Sequence, residues 1–439
     1  MNKPIKHMTL ILLTCLAFIS LKAQAIPDIQ HWQTNNGAKV YFVAAPELPM
    51  VDIQIVFDAA GARDGDLPGL ALLTAGLLEE GAGNMDADEI ADKFAAVGAR
   101  FGASSHRDMS VISLRSLTDP ALLDSAIETI ATIIGKPTFP DTALQRERNR
   151  LLIALQGKKQ SPSAIANETF YKAIYGDHPY AQQAMGDEDS VKKIKREDLV
   201  KHHQRYYVGR NAIVAIVGAV NKTQAAALAE AVVGTLPSGQ SAANIATVAS
   251  LKEGALIRKP FPSSQAHILV GQPAIRRGDT DRFALHVGNH ILGGSGLVSV
   301  LGEEIREKRG LSYSAYSYFS PMRQRGPFQM GLQTRNDQAQ EALDVLMATL
   351  KSYIKTGPTE KQLIAAKKNI KGGFALNLDS NKKIVENIAM IGFYQLPLDY
   401  LDTYTDKIEA VTTAQIRRAF QQHLDPDNMV TVIVGGEAQ

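Results

Sequence analysis

Apolar residues recur along this chain in two rhythms, and the succession of rhythms runs through twice. Val51 to Phe57 alternates apolar and polar side chains, the period of a half-buried strand, whereas Leu67 to Glu80 and Ala87 to Val97 repeat at helical spacing. Phe101 to Leu117 predicts one or two strands, and Ala121 to Ile134 and Asp141 to Lys158 predict helices. From Ala266 the order begins again. A strand to Gly271 is followed by a helix over Thr280 to Leu292, strands around Ser312 to Ser320 and Gly326 to Thr334, and helices from Gln338 onward. Antiparallel strands beside segregated helices predict an α+β fold, with helices packed on antiparallel-rich sheets.

The repetition is closest at the end of each half. DSVKKIKREDLVKHHQRYYVGRNAIVAIVG runs from Asp189 to Gly218, and DKIEAVTTAQIRRAFQQHLDPDNMVTVIVG runs from Asp406 to Gly435. Asp and Asn stand 22 residues apart in both, Asn and Gly 7 apart in both, and no gap is needed. Val191 matches Ile408, Ile194 matches Val411, Leu199 matches Ile416, and Ile216-Val217 match Ile433-Val434. Each copy reads as an amphipathic helix, a polar turn and a buried strand ending at Gly. An internal duplication with a period of about half the chain accounts for this. Residues 236–254 between the copies are rich in Ser, Ala, Gly and Asn and hold no period, so they read as a linker. The predicted organisation is two homologous domains, 26–235 and 255–439.

Composition changes the picture at one end. Lys3 and Lys6, the apolar run from Met8 to Leu21, and Ala23-Gln24-Ala25 form the three parts of an export signal over residues 1–25. The run is too short, and too closely followed by its small-residue site, to be a membrane span. The only cysteine, Cys15, lies inside it, and Thr14 before it suits a lipid-attachment site poorly. Cleavage after Ala25 leaves a chain with no disulfide, no thiolate ligand and no Cys nucleophile. It also removes three lysines, leaving 44 basic against 45 acidic side chains. A near-neutral chain with 6% aromatics lacks the electrostatic footprint of a nucleic-acid binder. The expected compartment is the periplasm of a Gram-negative bacterium, with no membrane span after signal removal.

The most informative segment is GGSGLVSVLGEEIREKRGLSYSAYSY, Gly293 to Tyr318. It reads as a glycine turn, an amphipathic helix with Leu297, Val300, Leu301 and Ile305 on one face, a stop at Gly310 and an aromatic strand. Arg306 and Tyr313 stand seven apart across that stop. The segment resembles the signature of the C-terminal half of pitrilysin-type zinc metallopeptidases, the family of insulysin and the mitochondrial processing peptidase. YGDHPYAQQAMG (Tyr175 to Gly186) and VGARFGASSHRDMSVISL (Val97 to Leu114) are similar to further phrases of that family. The resemblance spans essentially the whole mature chain. It implies two homologous α/β sandwich domains joined by a linker, forming half of a clamshell. It also implies that Arg306 and Tyr313 hold a substrate peptide near the metal. Gly293, Gly294 and Gly296 would permit close backbone approach to the peptide or to a partner's site. In the zinc-bearing half of the family, the strand edge matching Phe101 to His106 accepts substrate as an added strand.

The family holds zinc with an inverted H-x-x-E-H motif, because residues i and i+4 share a helix face and two imidazoles can meet one ion. This chain has no such motif. Its corresponding helix reads PGLALLTAGLLEEGAG, with Leu72 and Gly76 at the His positions and Ala75 at the catalytic Glu. The later Glu ligand falls at Ile153 or Ala154. The nearest histidines on either side are His31 and His106, so no shift of alignment restores the site. No zinc and no other cofactor is expected in this chain.

Other chemistry is weaker. His286 and His290 share a helix face and could in principle meet a metal, whereas adjacent His202 and His203 face about 100° apart and could not. His178 reads as a turn residue. The Gly293–Gly296 run lacks the surroundings of a phosphate cradle, and no G-x-S-x-G elbow supports a serine hydrolase. Some bacterial members of the family are built from two subunits, one carrying zinc and the other carrying the Arg/Tyr pair and a glycine-rich segment. This sequence is similar to the second kind. The expectation is a periplasmic, substrate-binding subunit that cuts peptides or unfolded segments only with a homologous, zinc-bearing H-x-x-E-H partner. A non-catalytic peptide-binding or assembly protein of the same fold is the alternative, and a self-sufficient hydrolase with another site is the third reading.

Overall fold

Two sheets organise the chain. The computed structural model describes residues 28–436, and the expected export signal lies outside the described residues. The first sheet holds β1 (Gln30–Gln33), β2 (Lys39–Ala44), β3 (Met50–Phe57), β4 (Arg100–Ser105), β5 (Ser110–Leu117) and β6 (Ala212–Gly218), in the order β1-β2-β6-β3-β5-β4. The second holds β7 (Ala255–Lys259), β8 (Gln265–Ile275), β9 (Ala315–Phe319), β10 (Gly326–Arg335) and β11 (Val430–Val434), in the order β9-β10-β8-β11-β7. Apart from β1, the second order repeats the first. β2 runs parallel to β6 as β7 does to β11, and the other neighbours are antiparallel.

The first domain adds α1 (Leu70–Gly76), α2 (Ala87–Ala96), α3 (Pro120–Gly135), α4 (Asp141–Lys158), α5 (Pro162–Tyr175), α6 (Glu188–Lys193), α7 (Arg196–Tyr206) and α8 (Lys222–Val233). The second adds α9 (Arg282–Asn289), α10 (Ala339–Thr356), α11 (Glu360–Phe374), α12 (Asn381–Tyr394), α13 (Tyr404–Ala410) and α14 (Thr413–His423). Local chemistry sets their starts. Asp86 with Glu89 at α2, Thr359 with Gln362 at α11 and Thr412 with Gln415 at α14 close capping boxes over otherwise unpaired N–H groups. In the duplicated segments the single helix expected from the pattern is two, α6–α7 and α13–α14. Ile194 and Val411 turn extended at equivalent places, and a new helix starts just after each.

One face of each sheet packs on its own domain's helices. Phe42, Ile53, Ile55, Phe57 and Ile216 meet Leu73, Ile130 and Leu199, and Ile268, Val270 and Phe328 meet Leu285, Leu346 and Phe420. The other face of each sheet is covered by a helix from the other domain. α12 lies on β2, β3 and β6, burying Ile388 and Ile391 against Tyr41, Ile213 and Val217. α5 lies on β8 and β11, burying Phe170 and Ile174 against Leu269, Val430 and Val432. The two exchanged helices are equivalent: each has 14 residues and is entered by a serine, Ser161 or Ser380, whose hydroxyl accepts a backbone N–H. The linker has no helix or strand, but it is packed. Ile245 and Val248 are buried in the α5 cluster, His178 donates to the Ala246 carbonyl at 2.8 Å, and Arg325 donates to the Val248 carbonyl at 2.6 Å. Among the described residues no helix is long and apolar enough to cross a membrane.

Candidate functional site

The helix that would carry the metal motif is α1. Asp64 fixes its start, accepting the N–H groups of Gly69 and Ala71 at 2.8 Å each. Of the residues at the expected ligand positions, Ala75 is buried, Leu72 is half-buried and Gly76 is exposed. Ile153 projects from the adjoining α4 and is 71% exposed. None of these side chains carries a lone pair for a cation, so the family's zinc does not fit here. Of the acids nearby, Glu80 pairs with Arg146 and Glu147 pairs with Arg150 at 3.0 Å.

Several histidines elsewhere are engaged in hydrogen bonds, though the ring of His290, the partner of His286 in the i, i+4 pair, makes none among the described residues. His202 and His203 donate to the carbonyls of Ala59 and Ile134 at 2.9 and 2.7 Å, one from each side of α7. His178 accepts the N–H of Tyr180 through Nδ1 and donates through Nε2 to the linker, as a turn residue. His286 meets the Tyr404 hydroxyl at 3.1 Å. Among the described residues one group of three potential ligands converges, Asp279, Asp281 and His423, in the second domain. Asp281 in this group is already engaged: it takes a hydrogen bond from Arg418 at 2.9 Å and lies 3.1 Å from His423 Nε2.

The Gly293–Tyr318 segment departs from its expected shape in two places. The pattern puts Leu297 on a buried helix face with Leu301 and Ile305; instead it is 55% exposed, and Val298 is 87% exposed. The reason is helical phase. Residues 290–294 form a wide π-helical turn and 296–298 a tight 3-10 turn, so the periodicity does not run continuously from Leu297 into the helical segment at 302–307. The strand expected from Leu311 begins only at Ala315. Residues 311–314 form a stapled turn, with Thr334 Oγ1 donating to the Leu311 carbonyl at 2.6 Å and Ser312 Oγ to the Ser314 carbonyl at 2.9 Å.

The three glycines have separate uses. A Cβ on Gly293 would lie 2.5 Å from the Ser317 nitrogen, so this buried glycine lets the π-turn close on β9 rather than on a ligand. Asn289 completes that seam, donating to the Ser317 carbonyl at 3.0 Å and accepting from Ser317 Oγ at 2.8 Å. Gly294 and Gly296 are exposed, and Gly296, at φ +64, faces open space. The seam blunts the outer edge of β9, a terminal strand of its sheet.

Arg306 and Tyr313 flank the left-handed Gly310, whose N–H closes on the Arg306 carbonyl at 2.9 Å. Tyr313 is 86% exposed, and its hydroxyl has no hydrogen-bond partner among the described residues. The Arg306 guanidinium is half-buried and makes only a loose contact with Glu307 at 3.5 Å. Both polar ends are therefore presented outward, on a turn held by its neighbours. Sequence reasoning missed the cleft that Tyr313 lines. It lies between β8, β9 and β10 and the first turns of α5, and includes His267, Gln265 and Gln333. The exchange of helices that builds it leaves no local sequence signal.

Comparison with known proteins bears on the family and the fold. The family profile described as insulinase (peptidase family M16) matches residues 40–188, and that described as peptidase M16 inactive domain matches residues 193–370. A crystal structure of a peptidase M16 inactive domain from Pseudomonas fluorescens is 39% identical, covers 94% of this chain and 99% of its own, and superposes with a TM-score of 0.91. The non-peptidase homolog YmxG of Helicobacter pylori is 26% identical over 98% of both chains. The periplasmic protease PqqL of Escherichia coli shares the fold at 16% identity and a TM-score of 0.78, with 93% of this chain matching 46% of that one.

Proposed function

The chain belongs to the M16 (insulinase) peptidase family, and from that premise we propose that it is the zinc-less, substrate-binding subunit of a periplasmic heterodimeric metallopeptidase. The observation that carries this reading is the state of the Arg/Tyr pair. α1 offers a metal no side-chain ligands at the expected positions, yet Tyr313 remains outward-facing with its hydroxyl unpartnered among the described residues, and Arg306 is tied only loosely, to Glu307 at 3.5 Å. An assembly protein has no need of a stapled turn that keeps a tyrosine hydroxyl free. The substrates are peptides or unfolded segments, and the partner is a homologous H-x-x-E-H subunit.

The partner's zinc supplies a polarised carbonyl and an activated water. This chain's residues do the rest. The Tyr313 hydroxyl donates to the oxygen that becomes negative as the carbonyl is attacked, a contribution worth about 3 kcal/mol for one well-placed donor. Arg306 holds a backbone carbonyl or a carboxylate of the peptide with its planar fork, which Lys cannot copy. β4, the open edge of the first sheet, offers unpaired backbone groups to an extended segment.

The test uses the mature chain alone and mixed with an H-x-x-E-H homologue encoded beside it. Zinc content and cleavage of a quenched peptide are expected only in the mixture. Tyr313→Phe in the mixture lowers kcat roughly 100-fold while changing KM little. Unchanged turnover removes Tyr313 from the chemistry, and a mixture that binds peptide without cutting it returns the chain to the non-catalytic binding class. Chelator-insensitive cleavage by the lone chain establishes a self-sufficient hydrolase.

A further inference from the structure

Each exchanged helix covers only part of the sheet it lies on, leaving a cleft beside the sheet's terminal strands. The two clefts are counterparts under the duplication. α12 with β3, β4 and β5 bounds a cleft of about 490 Å³, and α5 with β8, β9 and β10 bounds one of about 260 Å³. Their linings differ in kind. The larger contains Asp52 and Arg115, paired at 2.9 Å, together with Arg100, Lys382 and Glu386. The smaller contains no Asp, Glu, Lys or Arg.

Strand alternation builds the smaller cleft. Gln265, His267 and Leu269 project onto the α5 side of β8, while Ala266, Ile268 and Val270 fill the core behind. His267 stands directly opposite Gln333 on β10. Nearby, a Cβ on Gly331 would come within 2.4 Å of the Tyr316 hydroxyl, so the glycine lets that ring lie across the sheet. The ring is held there by stacking on Tyr318, with centroids 5.9 Å apart and planes at 7°. Burial pushes the His267 imidazole below its usual pKa, favouring the neutral ring. Tyr313 lines the same cleft.

The geometry points to this cleft as a subsite for one uncharged polar side chain of the bound peptide, an amide or a hydroxyl. The inference rests on the reading that Tyr313 touches peptide and names what that peptide carries. A charged side chain entering here gives up hydration and meets no counter-charge. An aliphatic one offers no hydrogen bond to Gln265, His267 or Gln333. An amide can donate to and accept from the same groups. The volume lies below the range typical of small-molecule pockets, which suits one side chain rather than a free ligand.

Fluorescence anisotropy of the mature chain with short, labelled, alanine-rich peptides carrying a single Gln, Glu or Lys tests this. The Gln peptide is expected to bind roughly tenfold tighter than the other two. Gln333→Glu, an exposed change that leaves thermal unfolding in place, should transfer that preference to the Lys peptide. Peptides that bind alike in both proteins overturn the subsite and leave peptide binding standing. Absence of binding by every peptide overturns the reading beneath it as well.

Discussion

His202 and His203 sit side by side on α7, and His202 is the deeper of the two. Its ring is buried beneath the helix and donates to the Ala59 carbonyl. Burial is the largest influence on it, His203 beside it adds to the effect, the carbonyl opposes it, and the result is a pKa of about 4. The folded state therefore prefers the neutral ring, whereas the unfolded chain takes up a proton near pH 6.5. Between about pH 6.5 and 4 the unfolded chain binds more protons. The contribution of His202 is thus complete above 6.5 and is lost as pH falls to about 4. The shift corresponds to roughly 3 kcal/mol. Calorimetry across that window should show Tm falling with acid, and His202→Gln should flatten the slope while lowering Tm at neutral pH. A wild-type Tm that does not change between pH 6.5 and 4.5 rules this linkage out.

At the scale of elements, the exchanged helices matter most. Phe170 on α5 is fully buried against the second domain's sheet, and a Cβ on Gly271 would sit 3.0 Å from its ring. Phe170→Ala opens a cavity at the junction and should cost about 3–5 kcal/mol in denaturant unfolding. A cost below about 1 kcal/mol would mean that α5 does not hold the domains together. Periodicity predicts no helix over α5 and places α12 only among the helices from Gln338 onward, and it is silent on what buries a face. The duplication was legible because Asp189–Gly218 and Asp406–Gly435 repeat both spacing and apolar positions. The burial of the linker was not, since Ile245 and Val248 are isolated among small polar residues. That Leu72, Ala75 and Gly76 offer a cation no side-chain ligand follows from residue type alone. The exposure of Leu297 could not. Two changes of helical pitch within nine residues, His290 to Val298, break the phase on which the expectation relied.

At the scale of the whole molecule, the reciprocal helices make each domain incomplete without the other. Residues 26–235 alone would bare the face of β2, β3 and β6 that α12 covers, and residues 255–439 alone would bare the face of β8 and β11 that α5 covers. A buried carboxylate strengthens the junction. Asp108, in the turn between β4 and β5, accepts from the Tyr180 hydroxyl at 2.6 Å, the Tyr394 hydroxyl at 3.1 Å and the Arg323 N–H at 2.7 Å. Tyr394 and Arg323 belong to the second domain, so one side chain of the first gathers groups from both. Two domains joined by an exposed tether would unfold separately; two that supply each other's core should unfold together. Calorimetry of the mature chain is expected to give a single transition whose calorimetric and van't Hoff enthalpies agree, and neither half expressed alone should yield a soluble folded domain. Two resolved transitions would show that the exchanged helices are ornaments on independent domains. The cleft beside Tyr313, walled by one domain and roofed by the other, would then lack the fixed shape that selecting one side chain requires.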